Sequence, residues 1–305
     1  PDLHDKVEFE ILFTCYSPDI DSRLNDLKKF NFSKDEITSI KNSLIEFTNK
    51  IFRNFDMINS SSNNSIKQMK QNRIIISSKI NPKSYVSLLS VAEQLLDDCK
   101  SFGIIPFSTM ARLAFIASIF LKSLVKKKFL SEKFVDQFMN SINTPLSNFR
   151  QDLLQYSNQN ISKSEIVKKY GHLRPGTYDI NAIRYDSNND FLNDVKFNEI
   201  NKTIKKIPNI NIKNIFKNKF PISDEEFFIF TKKSIESREN LKFEFSHNLS
   251  NALELISKAA EQLGFTREDI SFLNIPYIFS TYKKYNKSKL KFQWRKKIES
   301  EKAKK

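Results

Sequence analysis

The sequence predicts a mainly α protein: an irregular multi-helix domain with a few short strands and a long irregular segment near 172–221. Three observations lead there. Capping boxes recur at Ser33 to Glu36, Ser162 to Glu165 and Ser223 to Glu226; in each, a serine oxygen and the glutamate three residues on satisfy N–H groups that the first helical turn leaves open. Apolar residues recur at helical spacing along most of the chain. Strand signals are few: only Val7 to Phe13 begins with an alternation and only Arg73 to Ser78 is β-branched, and neither has a hairpin partner at short range.

Taken in order, the box at Ser33 opens a helix over about 34–53, carried by Ile37, Ile40, Leu44, Phe47 and Ile51. Asn59 to Asn64 is polar and without period, which predicts a loop. Pro82 favours a helix start, and the apolar pattern from Leu88 to Leu96 runs to a stop at Gly103. Pro106 opens the most apolar helix, Phe107 to Val125, a core helix whose one charge before Lys122 is Arg112, expected to be buried and to need a partner. Ser131 begins a further pattern that Pro145 kinks or divides. The box at Ser162 opens a short helix ending at Tyr170 and Gly171. Ser223 starts a helix over Phe227 to Ile235, Leu249 to Leu263 forms another that stops at Gly264, and Thr266 to Asp269 caps a short one. The basic tail closes the chain as an amphipathic helix.

The 305 residues carry 50 Lys and Arg against 35 Asp and Glu, a net +15. From Tyr282 to Lys305 there are eleven Lys and Arg against two Glu, so most of the excess lies in the tail and the body is only mildly basic. Lys, Asn, Ile and Phe are used as an A/T-rich coding sequence would use them, which discounts the charge as a sign of nucleic-acid binding. Cys15 and Cys99 have neither disulfide-framework nor zinc-ligand spacing, and no leader or spanning apolar run is legible. The expectation is a cytoplasmic protein with no nucleic-acid or membrane partner. The four glycines, Gly103, Gly171, Gly176 and Gly264, make no Walker loop and no GxGxxG, so no nucleotide site is expected in this chain. No metal-binding pattern such as HExxH or CxxC occurs either.

Of the three histidines, His4, His172 and His247, His172 stands out. It lies in a segment where two glycines and a proline fix an irregular backbone and His172, Arg174, Tyr178 and Asp179 are presented together. Two readings stand side by side: an anion or amino-acid site in which Arg174 forks a carboxylate or phosphate, or a structural turn in which Arg174 pairs internally with Asp179. Lys6, Glu8 and Glu10 share a face if Val7 to Phe13 is a strand, as a polar site wall or as a solvated edge. Arg238 and Glu239, followed by Lys242 and Glu244, have the spacing of a charged helix face. Trp294, among Phe292, Arg295 and Lys296, fits either a connecting amphipathic helix or a surface for RNA or anionic lipid.

Four stretches resemble one family, in its order. These are HDKVEFEI at 4–11, FGIIPFSTMARLAFIA at 102–117, YGHLRPGTYDI at 170–180 with IRYD at 183–186, and SRENLKFEFSHNLSNALELI with GFTREDISFL over 237–273. Together they resemble the phosphoenolpyruvate synthase-like, PEP-utilising dikinases over about residues 2 to 276. The resemblance implies that residues 1–281 are the central helical substrate domain and 282–305 a basic connector toward a phosphohistidine domain. That domain and the ATP-grasp domain, with ATP and magnesium, are expected outside these residues, because no TSGG-type histidine segment is present. It implies no catalytic residue in this chain, and activity only as part of a larger phosphotransferase that turns ATP into AMP and phosphate. The acceptor in such enzymes is pyruvate, a hydroxylated small molecule or the amide of L-glutamine; the YGHLRPGTYDI subgroup resembles enzymes of surface-polysaccharide clusters, and L-glutamine, for capsular phosphoramidate, is the expected acceptor. For that transfer, Arg174 and Arg112 are the candidates for anionic groups, His172 and Tyr178 for polar contacts near the transferring group, and Glu8 or Glu239 for an ammonium, with Arg238 a further substrate-binding candidate.

Overall fold

The structure, a computed structural model, describes residues 13–188, 190–192, 208, 210–220 and 222–304. Within them the chain is helical, with turns between and no strand. The expected strand at Val7 lies almost wholly outside the described residues, as do His4 and Glu8. The other, Arg73 to Ser78, is the end of a helix. The order is α1 (Ile20–Asn25), α2 (Lys34–Ser77), α3 (Tyr85–Asp98), a π-helical segment (Cys99–Ile104), α4 (Ile105–Lys126), α5 (Glu132–Asn140), α6 (Pro145–Ser157) and α7 (Lys163–Tyr170). There follow α8 (Ile212–Ile215), α9 (Asp224–Gln262), α10 (Arg267–Ile270), α11 (Ile275–Lys284) and α12 (Lys287–Lys302). Pro145 does divide its segment, by standing first in α6.

Two compact units share these helices. The first takes residues up to Asn64, Pro106–Ser147 and Asn198–Asn240; the second takes Ser65–Ile105, Asn148–Phe197 and Leu241–Lys305. Because each unit is drawn from three separate stretches, no linker marks a boundary in the sequence.

The first unit is built on phenylalanine. Phe52 stacks on Phe120 at 5.7 Å and meets Phe230 edge-on at 5.1 Å, while Phe216 meets Phe120 at 5.6 Å and Phe220 at 5.0 Å. Such tilted pairs add to the burial of large rings because the electropositive edge of one faces the electron-rich face of the next. The predicted loop Asn59–Asn64 is instead helical, within α2. Asn59 Oδ1 accepts from Ser237 Oγ at 2.5 Å, and Ser62 is buried, so tertiary partners override the weak helix propensity of the run. Asp224 fixes the start of α8 by accepting from the backbone N–H groups of Ile210, Asn211 and Ile212 at 2.8, 3.0 and 2.6 Å.

The second unit has an aliphatic core. Leu88, Leu89, Ala92 and Leu95 of α3 pack with Ala252, Ile256, Ala259 and Leu263 of α9, and with Leu290, Trp294 and Ile298 of α12. Those last three, spaced by four, put one stripe of the basic tail helix inside; Trp294 is fully buried and donates Nε1–H to Thr281 Oγ1 at 2.9 Å. Gly103 does not stop a helix. A Cβ there would lie 2.7 Å from Phe245 Cβ, and the π segment carries the glycine through this contact and joins α3 to α4. The joined helix Tyr85–Lys126 is long and apolar enough to cross a membrane by length and composition, with 44% of its most apolar window buried.

Candidate functional site

The segment after α7 folds back on itself. Tyr185 N–H donates to Leu173 O at 2.9 Å and Asp186 N–H to Gly171 O at 3.0 Å, closing the loop 171–186 at its neck. Gly171 is required there: a Cβ would stand 2.4 Å from Val167 O and 2.9 Å from Asp186 Cβ.

Arg174 fastens this loop to α9. Its side chain is 1% exposed. Nε and Nη2 donate to Ser250 Oγ at 3.2 and 3.1 Å, Nη2 also to Ser250 O at 3.1 Å, and Nη1 to Asp179 O at 3.2 Å. Ser250 Oγ in turn donates to His172 O at 2.5 Å. The pairing with Asp179 foreseen by the structural reading of the loop is thus made by a backbone carbonyl, not by the carboxylate. Glu254, 4.0 Å from Arg174, accepts from Arg267 Nη2 through both carboxylate oxygens, at 2.7 and 2.8 Å, and Arg267 Nη1 donates to Ile180 O at 3.3 Å. Arg184 forks Asp186 at 3.1 and 2.5 Å and reaches Asn251 Oδ1 at 2.8 Å. Planar guanidinium forks therefore hold three stretches together, 172–186, 250–254 and Arg267.

Beside this clasp lies a pair of imidazoles. His172, 3% exposed, stacks on His247 with centroids 4.1 Å apart and planes 11° from parallel, and Phe243 meets the His172 ring edge-on at 4.8 Å. Burial pushes both imidazoles down to about 3; for His172 the next cause is the charge of His247, and for His247 that of Arg73, with Arg184 acting on both. Both rings are neutral near pH 7, and Nε2 of His172 is buried with no hydrogen-bond partner among the described residues.

A second network continues along α9. Arg73 donates to Glu244 Oε2 at 2.9 Å, to Glu244 O at 3.2 Å and to Asn248 Oδ1 at 3.1 Å, and Lys70, half exposed, pairs with Glu244 at 2.8 Å. Asn248 Nδ2 donates to Asp98 Oδ2 at 3.0 Å and Asn72 Nδ2 to Asp98 Oδ1 at 2.5 Å. Burial raises the Asp98 carboxyl above its usual range, the two amides opposing.

The expected residues divide between the units. His172, Arg174 and Tyr178 belong to the second, where Tyr178 is 70% exposed. Arg112, Arg238 and Glu239 belong to the first. Arg112 is exposed on α4, not buried as its apolar neighbours suggested. Arg238 contacts Glu239 through Nη1 and lies over the Phe115 ring at 5.3 Å. Glu8 lies outside the described residues.

The residues that sequence reasoning missed are Lys70, Arg73, Glu244, Asn248, Ser250 and Glu254. A signal existed on α9: Glu244, His247, Asn248, Asn251 and Glu254 fall at helical spacing, a polar stripe on a stretch, 243–257, in which no residue is exposed. Arg73 was hidden by the β-branched run that follows it. Comparison of the chain with protein-family models, curated proteins and solved structures finds no match.

Proposed function

We propose that this chain binds the acceptor in an ATP-dependent, dikinase-type phosphotransferase, and that the acceptor is L-glutamine, phosphorylated on its amide. The observation that supports the reading most is the meeting of segments on which the family resemblance rests. YGHLRPGTYDI with IRYD, the HNLSNALELI stretch and the TRED stretch lie far apart in sequence, yet Arg174, Arg184 and Arg267 tie them into one polar cluster.

The role of this chain is to bind and orient. Lys70, half exposed beside the neutral histidine pair, suits the acceptor carboxylate, and Glu244 suits its ammonium; Arg184, forked on Asp186 and bonded to Asn251, holds the site's frame. Tyr178 stands ready as a closing contact. Arg174 acts as a positioning residue, since its N–H groups are engaged in holding the loop. Gly103 and Gly171 are glycine because neighbouring atoms leave no room for a Cβ, and Gly264 has a φ of +81°, so packing and a helix end account for these three glycines without a ligand. The nucleotide chemistry belongs to other domains of such an enzyme.

Calorimetric titration of the chain with L-glutamine, pyruvate and ATP tests this. A selective response to L-glutamine that weakens at least about tenfold in Lys70→Met, the loss of one charge-assisted contact, is expected. A response to ATP alone, or to none of the three at millimolar concentration, would overturn it.

A further inference from the structure

The tail helix carries a surface unrelated to the acceptor site. With Leu290, Trp294 and Ile298 buried, the opposite side of α12 presents Lys289, Phe292, Arg295 and Lys296, with one acid, Glu299, a turn further on, all exposed, and Phe292 is 64% exposed. These positions, spaced by three and four, share one face, so a bare aromatic ring sits between cations one turn before and one turn after it. Lys289, Arg295 and Lys296 make no ion pair among the described residues, whereas other basic residues nearby do: Lys283 with Glu93, and Lys302 with Asp269. Lys289 instead lies over the Tyr285 ring at 5.0 Å.

Against the sequence expectation of no nucleic-acid partner, we infer that this face of α12 binds single-stranded nucleic acid, a base stacking on Phe292 while Lys289, Arg295 and Lys296 meet the flanking phosphates. Unpaired cations on a helix held rigidly by a buried tryptophan suit a polyanion, and an exposed ring among them suits a partner that offers flat bases as well as phosphates. A membrane fits poorly. An interfacial helix needs its apolar face for the acyl boundary, and here Leu290, Trp294 and Ile298 are committed to the protein core. A duplex fits poorly as well, since its bases are stacked inside and leave Phe292 without a partner.

The test is fluorescence anisotropy of the chain with labelled 15-nucleotide oligo-dT and oligo-U, a 15-base-pair duplex, and phosphatidylserine vesicles by co-sedimentation. All changed positions are exposed, and a melting curve on each variant confirms that it folds. Expected are binding of single strands in preference to duplex and a loss of roughly 20- to 50-fold between 50 and 200 mM salt, the slope for three to four neutralised phosphates. Phe292→Ala should weaken binding at least about fivefold at constant salt. Lys289→Ala/Arg295→Ala/Lys296→Ala should flatten the salt dependence. No binding at 50 mM salt, affinity unchanged in Phe292→Ala, duplex bound as tightly as single strand, or vesicles bound in place of oligonucleotides would each overturn the proposal.

Discussion

The two units solve the same packing problem with different materials. The first closes on phenylalanine rings, and its buried polar groups are mostly hydroxyls and one carboxylate, Asp19, which accepts from Ser17, Ser123 and Lys126. The second closes on leucine, isoleucine and alanine, yet admits His172, Arg174, Asp98 and Asn248. An aromatic core stabilises without specifying chemistry. A buried polar cluster costs desolvation and stabilises only when every partner is in place, and it is in this unit that the proposed site lies.

Large truncations test this contrast most strongly. Trp294→Ala in the second unit and Phe216→Ala in the first should each cost about 3–5 kcal/mol, read as denaturant midpoints, through lost burial and the cavity left behind. If the contrast is right, Phe216→Ala leaves ligand affinity unchanged once the protein is folded. Arg174→Ala should cost about 3 kcal/mol because Ser250 and two backbone carbonyls lose their donor. Arg174→Lys should recover little of it, since an ammonium cannot reproduce the fork.

Acid sharpens the comparison. His172 and His247 titrate in the folded state at about 3, below the ordinary 6.5, so the unfolded chain takes up their protons first. Their contribution is fully present above pH 6.5 and falls by about 1.4 kcal/mol per pH unit for each histidine as pH drops toward 3. His247→Phe should halve that slope in a series of denaturation curves; an unchanged slope would mean that the pair is not buried as described. The smallest effect is expected at a helix end: Ser162→Ala should cost about 1 kcal/mol, by loss of the Ser162–Glu165 box.

How far the sequence was legible follows the same division. The capping boxes at Ser162, Ser223 and Thr266 all form, because their bonds are local. Helix lengths were misjudged where tertiary contacts decide: Asn59–Asn64 and Ile74–Ser77 continue α2, and α9 runs unbroken from Asp224 to Gln262 through what read as two helices. Arg73 belongs to the second case, since its partners Glu244 and Asn248 lie 171 and 175 residues away. At the site, the loop and its histidine were legible from composition, but the stacking of His172 on His247 was not, because nothing local fixes a contact across 75 positions. The basic tail read as a connector, and its stripe of Leu290, Trp294 and Ile298 shows why a charged helix can still be a core element.

On the proposed function, the acceptor binds at the polar cluster of the second unit. Hydrogen exchange read by mass spectrometry, with and without saturating L-glutamine, tests it most directly. Slower exchange is expected in peptides covering 171–186 and 244–254, with no change over 112–125 or 224–240. Protection confined to those first-unit peptides, or none anywhere, would contradict it.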